Sequence, residues 1–311
     1  MSQTTLIIST RDRPAYLIKA LRSALKQTHP FDKIIISDNS SSRALKNKNK
    51  SLLAPYLVDA ESIVKLMPTP TDFKSDEHTK FIQKNYVSDD GFCILFHDDD
   101  ELLPNYHEVA VDKIENSAGV VAVGCNAVRL LDSREISGTS MRRRKGIKII
   151  QNARELQKCY MEIRSVSPPP LCGYLFRAKA LKSISFDSAI GGKYSDVVAL
   201  SEAASLGKLL WIFEPLLKYR THSEQDSQNV STLGFRSLLN YMLKQGELAC
   251  DSPEAMSYRF KHMRLKLKGL AKRQKLHSFK IVVFFLICFT LKNLIWRQQT
   301  YAYLWALLRK K

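Results

Sequence analysis

Residues 92–104 read Phe-Cys-Ile-Leu-Phe-His-Asp-Asp-Asp-Glu-Leu-Leu-Pro, an apolar run that delivers three consecutive acids, Asp98, Asp99 and Asp100, at its carboxyl end. Adjacent carboxylates repel one another unless something positive sits among them. A hard divalent cation such as Mg2+ or Mn2+ meets that need, because it takes carboxylate oxygens and commonly bridges to the phosphates of a nucleotide. A plainer alternative is a polar turn that opens a helix, with an Asp as its cap.

The elements around the triplet place it. Thr5–Ser9 is β-branched and apolar, and Pro14–Gln27 carries Tyr16, Leu17, Ala20, Leu21, Ala24 and Leu25 at helical spacing. Lys33–Ser37 is again β-branched. Strand, helix, strand is a βαβ unit with a right-handed crossover. Apolar segments at Ser62–Met67, Phe92–Phe96 and Val120–Cys125 continue the alternation of an α/β fold. In such sheets ligands collect beyond the carboxyl ends of the strands. Thr10–Arg13, Asp38–Ser42 and the acidic triplet all lie at such ends, so three polar loops converge on one sheet edge.

The order Ile-Ile-Ser-Thr-Arg-Asp-Arg-Pro, Ile-Ile-Ser-Asp-Asn-Ser-Ser and His-Asp-Asp-Asp-Glu-Leu-Leu-Pro resembles the nucleotide-binding half of family 2 glycosyltransferases, which have the GT-A fold. The resemblance covers about residues 3–230. It implies a Rossmann-like, mixed but mainly parallel sheet flanked by helices, with a nucleotide-binding half to about residue 125 and an acceptor half over 126–230. It also implies roles. Thr10 and Asp12 approach the nucleoside, Asp38 binds base or ribose, and Asp98 joins the nucleotide-sugar contacts. Asp99 and Asp100 are the metal candidates, the triplet leaving the registry open, and His97 stands where another acid is common. The alternative for the first two loops is helix capping.

In the second half, Pro168–Arg177 reads as a turn and a strand, followed by a Gly191-Gly192 turn and a helix from Tyr194 through Leu206. The resemblance makes Asp196, at the start of that helix, the general base for an acceptor hydroxyl, although an acid there is also favoured by the helix dipole. Gly207–Ile212 reads as a strand leading to Leu217–Ser227. There Arg220 is implied to contact the diphosphate and His222 the metal. The implied reaction is inverting transfer of a sugar from a nucleoside-diphosphate donor, assisted by Mn2+ or Mg2+. The basic run Met141–Lys145 between Gly138 and Gly146 is expected to be a solvated loop, or else a lid over the diphosphate or a contact to an anionic lipid-linked acceptor.

The formal charge of +18 in 311 residues suggests nucleic acid until its distribution is considered. From Tyr258 onward there are fourteen Lys or Arg and no acid, which leaves thirty-four basic against thirty acidic side chains in residues 1–257. The body is therefore near neutral and the tail cationic. The tail, residues 231–311, is expected to be a helical extension with helices over Leu233–Ala249 and Pro253–Leu276. Its apolar run Ile281–Leu291 has eleven residues, too few to span a bilayer, which takes about twenty. Basic residues around this run and around Trp296, Tyr301, Tyr303 and Trp305 fit a helix lying on an anionic membrane surface, with a packed helical bundle as the alternative. Six cysteines at unpaired spacings favour a reducing compartment, and the amino terminus reads as a strand rather than a secretory signal. The expectation is a cytoplasmic enzyme, peripheral on the inner membrane face, acting on a glycan or lipid-linked acceptor. The competing class is a nucleic-acid or anionic-lipid binding protein that uses the cationic tail beside a non-catalytic body. The apolar run makes nucleic acid the weaker of those partners.

Overall fold

The computed structural model describes residues 2–57, 62–70, 72–131, 134–141, 145–161, 168–221, 232–245, 249 and 252–262. In chain order the elements are β1 (Thr4–Thr10), α1 (Pro14–Leu25), β2 (Lys33–Asp38), α2 (Arg43–Leu53), β3 (Val64–Pro68), α3 (Ser75–Tyr86), β4 (Phe92–His97), β5 (Glu101–Leu102), α4 (Tyr106–Glu115) and β6 (Val120–Leu131). They continue with β7 (Arg134–Thr139), β8 (Ile147–Ile150), α5 (Ala153–Met161), β9 (Tyr174–Arg177), α6 (Ala178–Ser183), α7 (Ser188–Gly191), α8 (Ser195–Leu206), β10 (Lys208–Thr221) and α9 (Thr232–Lys244).

The strands form one sheet in the order β3-β2-β1-β4-β9-β6-β10-β5, with β7 on β6 and β8 on β10. The run β3-β2-β1-β4 is wholly parallel, as is the long β6–β10 pair, whereas β9, β5, β7 and β8 attach antiparallel. This is the mixed, mainly parallel sheet expected. Its central strands are apolar on both faces because both are covered. Leu6 and Ile8 of β1 face one core with Leu17 and Leu21 of α1 and Tyr106 of α4. Ile7 faces the other, with Ile82 of α3, Leu156 of α5 and Leu200 of α8. Gly124 of β6 lets β9 approach, since a Cβ there would lie 2.6 Å from the Tyr174 ring.

Three local expectations differ from the structure. The strand begun at Gly207 does not end at Ile212. It runs to Thr221, absorbing Pro215 through irregularities in its register with β6, because β6 itself continues to Leu131 and supplies a partner. The Gly191-Gly192 turn is helical on both sides, as α7 and a 3-10 turn over Gly192–Tyr194. Met141, read as part of a solvated loop, is fully buried, and its N–H donates to Asn126 Oδ1 at 2.8 Å; Arg142–Arg144 lie outside the described residues.

The chain divides into two compact units, Met1–Tyr160 with Ser165–Glu247, and Met161–Arg164 with Leu248–Lys311. Helix α9 belongs to the first. Of the expected helix Pro253–Leu276, residues 253–262 are described and helical, and everything from 263 onward, including Ile281–Leu291 and the aromatic patch, lies outside the described residues. Among the described residues no helix is long and apolar enough to cross a membrane.

Candidate active site

Strand order reverses at β1. The chain leaves it on one side for β2 and β3 and returns on the other as β4, which opens a crevice at the carboxyl ends. Register sets the level of each loop. Thr10 pairs with Asp38 across β1–β2, and Ser9 pairs with His97 across β1–β4, so Asp98 emerges beside Thr10. The three loops foreseen from the sequence therefore meet.

They meet through hydrogen bonds. The Thr10 hydroxyl donates to Asp98 Oδ2 at 2.6 Å. Arg13 is the N-cap residue of α1, but its side chain makes no capping hydrogen bond, and its Nη1 lies 3.0 Å from Asp99 Oδ2 and 3.5 Å from Asp98 Oδ1. The positive partner that three acids demand is thus present in the chain. Sequence reasoning missed it, although Arg13 directly precedes the helix-opening Pro14 in the loop facing the triplet. All three acids are buried, with Asp100 only 1% exposed. Burial pushes Asp98 up to about 6; the Asp99 charge adds to this, and the Thr10 hydroxyl and Arg13 oppose it. Burial and the Asp99 charge push Asp100 well above the usual carboxylate range, against the neighbouring Cys172 thiol and the Arg220 backbone N–H and guanidinium.

Arg220 is 1% exposed beneath the triplet. Its backbone N–H donates to Asp100 Oδ1 at 2.8 Å, Nε donates to the Asp99 carbonyl at 2.7 Å, and Nη2 lies 2.5 Å from Glu101 Oε1. The guanidinium stands 5.0 Å over the Tyr16 ring. Strand β10 puts it there by pairing Lys218 with Glu101 and Leu217 with Leu102. These contacts face the interior of the fold, whereas the resemblance assigns Arg220 to the donor.

Asp12 adopts φ +60°, a left-handed conformation that Asp tolerates in turns. Its N–H donates to Ser40 Oγ at 3.2 Å, and its Oδ1 accepts the Ser41 N–H at 2.8 Å, locking the β1 loop to the β2 loop. Asp38 is buried; Oδ1 accepts the Ser40 N–H at 2.9 Å and Oδ2 the Asn49 amide at 3.0 Å. Asn39 braces the wall, its amide donating to the Phe73 carbonyl and accepting the Phe73 N–H, both at 2.9 Å. Asn39 lies inside the quoted Asp-Asn-Ser-Ser motif but had no role assigned, and Asn49 carried no signal, since their partners lie 34 and 11 residues away along the chain.

Asp196 lies in the first turn of α8 and takes no part in this network. It is partly buried, and its Oδ1 accepts the Val197 N–H at 2.9 Å. Burial pushes its carboxyl up to about 6, opposed by that N–H, which suits a base working near neutral pH. His222 lies outside the described residues.

The carboxylate cluster fits a hard cation. Asp99 and Asp100 offer oxygen donors, and Asp100 Oδ2 is buried without a hydrogen-bond partner among the described residues. A buried acceptor left unpaired is costly unless something positive meets it.

The sequence model described as Glycosyl transferase family 2 matches residues 5–177, more than half of the chain. Solved structures agree on the fold. A fragment of S. aureus TarS, residues 1–349 in complex with UDP-GlcNAc, aligns with a TM-score of 0.56 at 14% identity, over 82% of this chain and 69% of that one. A longer S. aureus TarS chain aligns with a TM-score of 0.53 at 14% identity, over 82% of this chain and 41% of that one. The mannosyltransferase PcManGT from Pyrobaculum calidifontis, in complex with GDP-Man and Mn2+, gives 0.51 at 13% identity, over 99% and 86%. A search of curated protein sequences returned no match.

Proposed function

Because the chain belongs to glycosyl transferase family 2, with a GT-A architecture, we propose that it moves a sugar from a nucleoside-diphosphate donor to an acceptor hydroxyl with inversion. The observation that carries this reading is the convergence of Thr10, Asp12, Asp38 and the acidic triplet on the crevice at the β1/β4 switch point. Structural neighbours at comparable similarity hold UDP-GlcNAc or GDP-Man with Mn2+.

In this reading Thr10, Asp12 and Asp38 shape the nucleoside site, and Asp98 is held by the Thr10 hydroxyl at its edge. Asp99 and Asp100 would hold Mn2+ or Mg2+, with His222 as the further ligand that the resemblance implies. Such an ion supplies positive charge against the diphosphate and its leaving oxygen. Until it arrives Arg13 offsets Asp98 and Asp99, and Arg220 acts as a positioning residue that fixes the backbone of the triplet. Asp196 takes the proton of the acceptor hydroxyl, the freed oxygen forms its bond to C1, and the bond from C1 to the diphosphate breaks on the opposite face. The cationic, apolar tail suits work at an anionic membrane face on a lipid-linked glycan, as in surface-polysaccharide assembly. The nucleic-acid reading draws only on the charge of that same tail.

The test is donor binding and hydrolysis over a panel of nucleotide sugars, with Mn2+ or Mg2+ and with chelator, for the wild type, Asp99→Ala and Asp196→Ala. Metal-dependent binding of one donor, weakened by Asp99→Ala and kept without turnover by Asp196→Ala, is the expected result. No donor binding under any metal condition would overturn the reading.

A further inference from the structure

The end of β4, the triplet and the turn before β9 bring three unlike ligands together. A ring nitrogen of His97, a carboxylate oxygen of Asp100 and the Sγ of Cys172 all lie within 4.8 Å of one another. Asp100 and Cys172 are each 1% exposed, while His97 opens to solvent. A second observation points to a ligand here: Asp100 Oδ1 is engaged by the Arg220 N–H, Oδ2 is buried with no nitrogen or oxygen partner among the described residues, and the Cys172 thiol is hydrogen-bonded to this same carboxylate. Cys172 is a free thiol.

We propose that His97, Asp100 and Cys172 form a binding site for a borderline divalent ion of the Zn2+ or Co2+ kind, sharing Asp100 with the carboxylate cluster. Donor chemistry selects the ion. Nitrogen and sulfur suit Zn2+ and Co2+, whereas Mg2+ takes oxygen alone. Bond lengths of about 2.0–2.3 Å in a tetrahedral site imply ligand separations of roughly 3.3–3.8 Å. The three ligand atoms, all within 4.8 Å of one another, must draw in by up to about an ångström on binding, and His97 is the exposed member of the three. Three protein ligands leave a fourth position open, as in metal sites that also take water or substrate. On binding, the Cys172 thiol loses its proton to solvent and its sulfur joins the metal as thiolate. Because Asp100 is shared, the ion competes with the Mn2+ or Mg2+ of donor binding; this consequence rests on the transferase reading, while the site itself does not.

Titration of the purified full chain with Co2+, followed by absorbance, reads the site directly. The expected result is a near-ultraviolet thiolate-to-cobalt charge-transfer band that is lost in Cys172→Ser. The affinity should also weaken in His97→Ala by more than the ~10–100-fold that loss of an outer partner costs. His97 is exposed, so His97→Ala remains informative should Cys172→Ser fail to fold. A Co2+ complex lacking that band, or a band and affinity unchanged in both variants, overturns the proposal. Paramagnetic resonance of free Mn2+ then tests competition: Zn2+ should release bound Mn2+ from the wild type but not from His97→Ala. Failure of the transferase reading would show as absent donor binding while the cobalt band persisted.

Discussion

Replacing Arg220 by Met removes the guanidinium and keeps most of the side-chain volume. The structure says what is lost: the donor to the Asp99 carbonyl, the ion pair with Glu101, the contact with Tyr16 and the positive charge beside buried Asp100. Removing one partner of a buried ion pair costs about 3–5 kcal/mol. The Glu101 side chain is 28% exposed, so water recovers part of this, and the expected loss is about 2–4 kcal/mol. At about 2–4 °C per kcal/mol for a domain of this size, the midpoint should fall by roughly 5–15 °C. Thermal unfolding followed by circular dichroism measures it, and calorimetric donor binding well below the transition separates folding from recognition. Arg220→Lys keeps the charge but not the fork and should fall between the two. A variant with an unchanged midpoint and abolished donor binding would refute the reasoning, because the guanidinium would then be meeting the donor instead of holding the triplet.

Three further outcomes are expected. The Asp196 carboxyl, raised to about 6, must be ionised to accept a proton, so kcat should fall as pH drops through about 6. Asp196→Asn should remove that limb and lower kcat by about 10²–10⁴-fold while donor binding survives; a profile level down to pH 5 would contradict this. The same shift makes ionised Asp196 a burden on the fold. Below pH ~4 both states are protonated and nothing is lost, and between ~4 and ~6 the unfolded chain ionises first. Asp196→Asn should therefore gain stability over the wild type by on the order of 1.4 kcal/mol per pH unit across that window, read from urea midpoints at pH 4 and 7. Thr10→Val removes the hydroxyl 2.6 Å from buried Asp98 and should cost about 1–3 kcal/mol in urea denaturation, a neutral result arguing against that hydrogen bond. Gly124→Ala would put its Cβ 2.6 Å from the Tyr174 ring and should cost about 1–3 kcal/mol by overpacking, again read from the urea midpoint, with an unchanged value meaning that β9 can yield.

The sequence by itself determined the parts that depend on local pattern. Helical spacing and β-branched runs located β1, α1, β2 and β4 to within a few residues, because an element buried on one stripe or on both faces must repeat its apolar residues at the period of its backbone. The position of Asp98–Asp100 after β4 was legible for the same reason, and so was the edge on which Thr10 and Asp38 would meet them. Tertiary structure decided everything that depends on pairing across the chain. The strand β10 is fourteen residues long because β6 continues alongside it, and Pro215 and the residues around it read locally as an interruption. Met141 is interior because Asn126 reaches it. The charges that balance the triplet come from Arg13 and Arg220, 86 residues before Asp99 and 121 after it. Local pattern cannot reveal them, since an arginine's charge has the same appearance in sequence whether water or a buried carboxylate answers it. Only the register of β1 on β4 and of β10 on β5 turns two ordinary arginines into the counter-charges of one site.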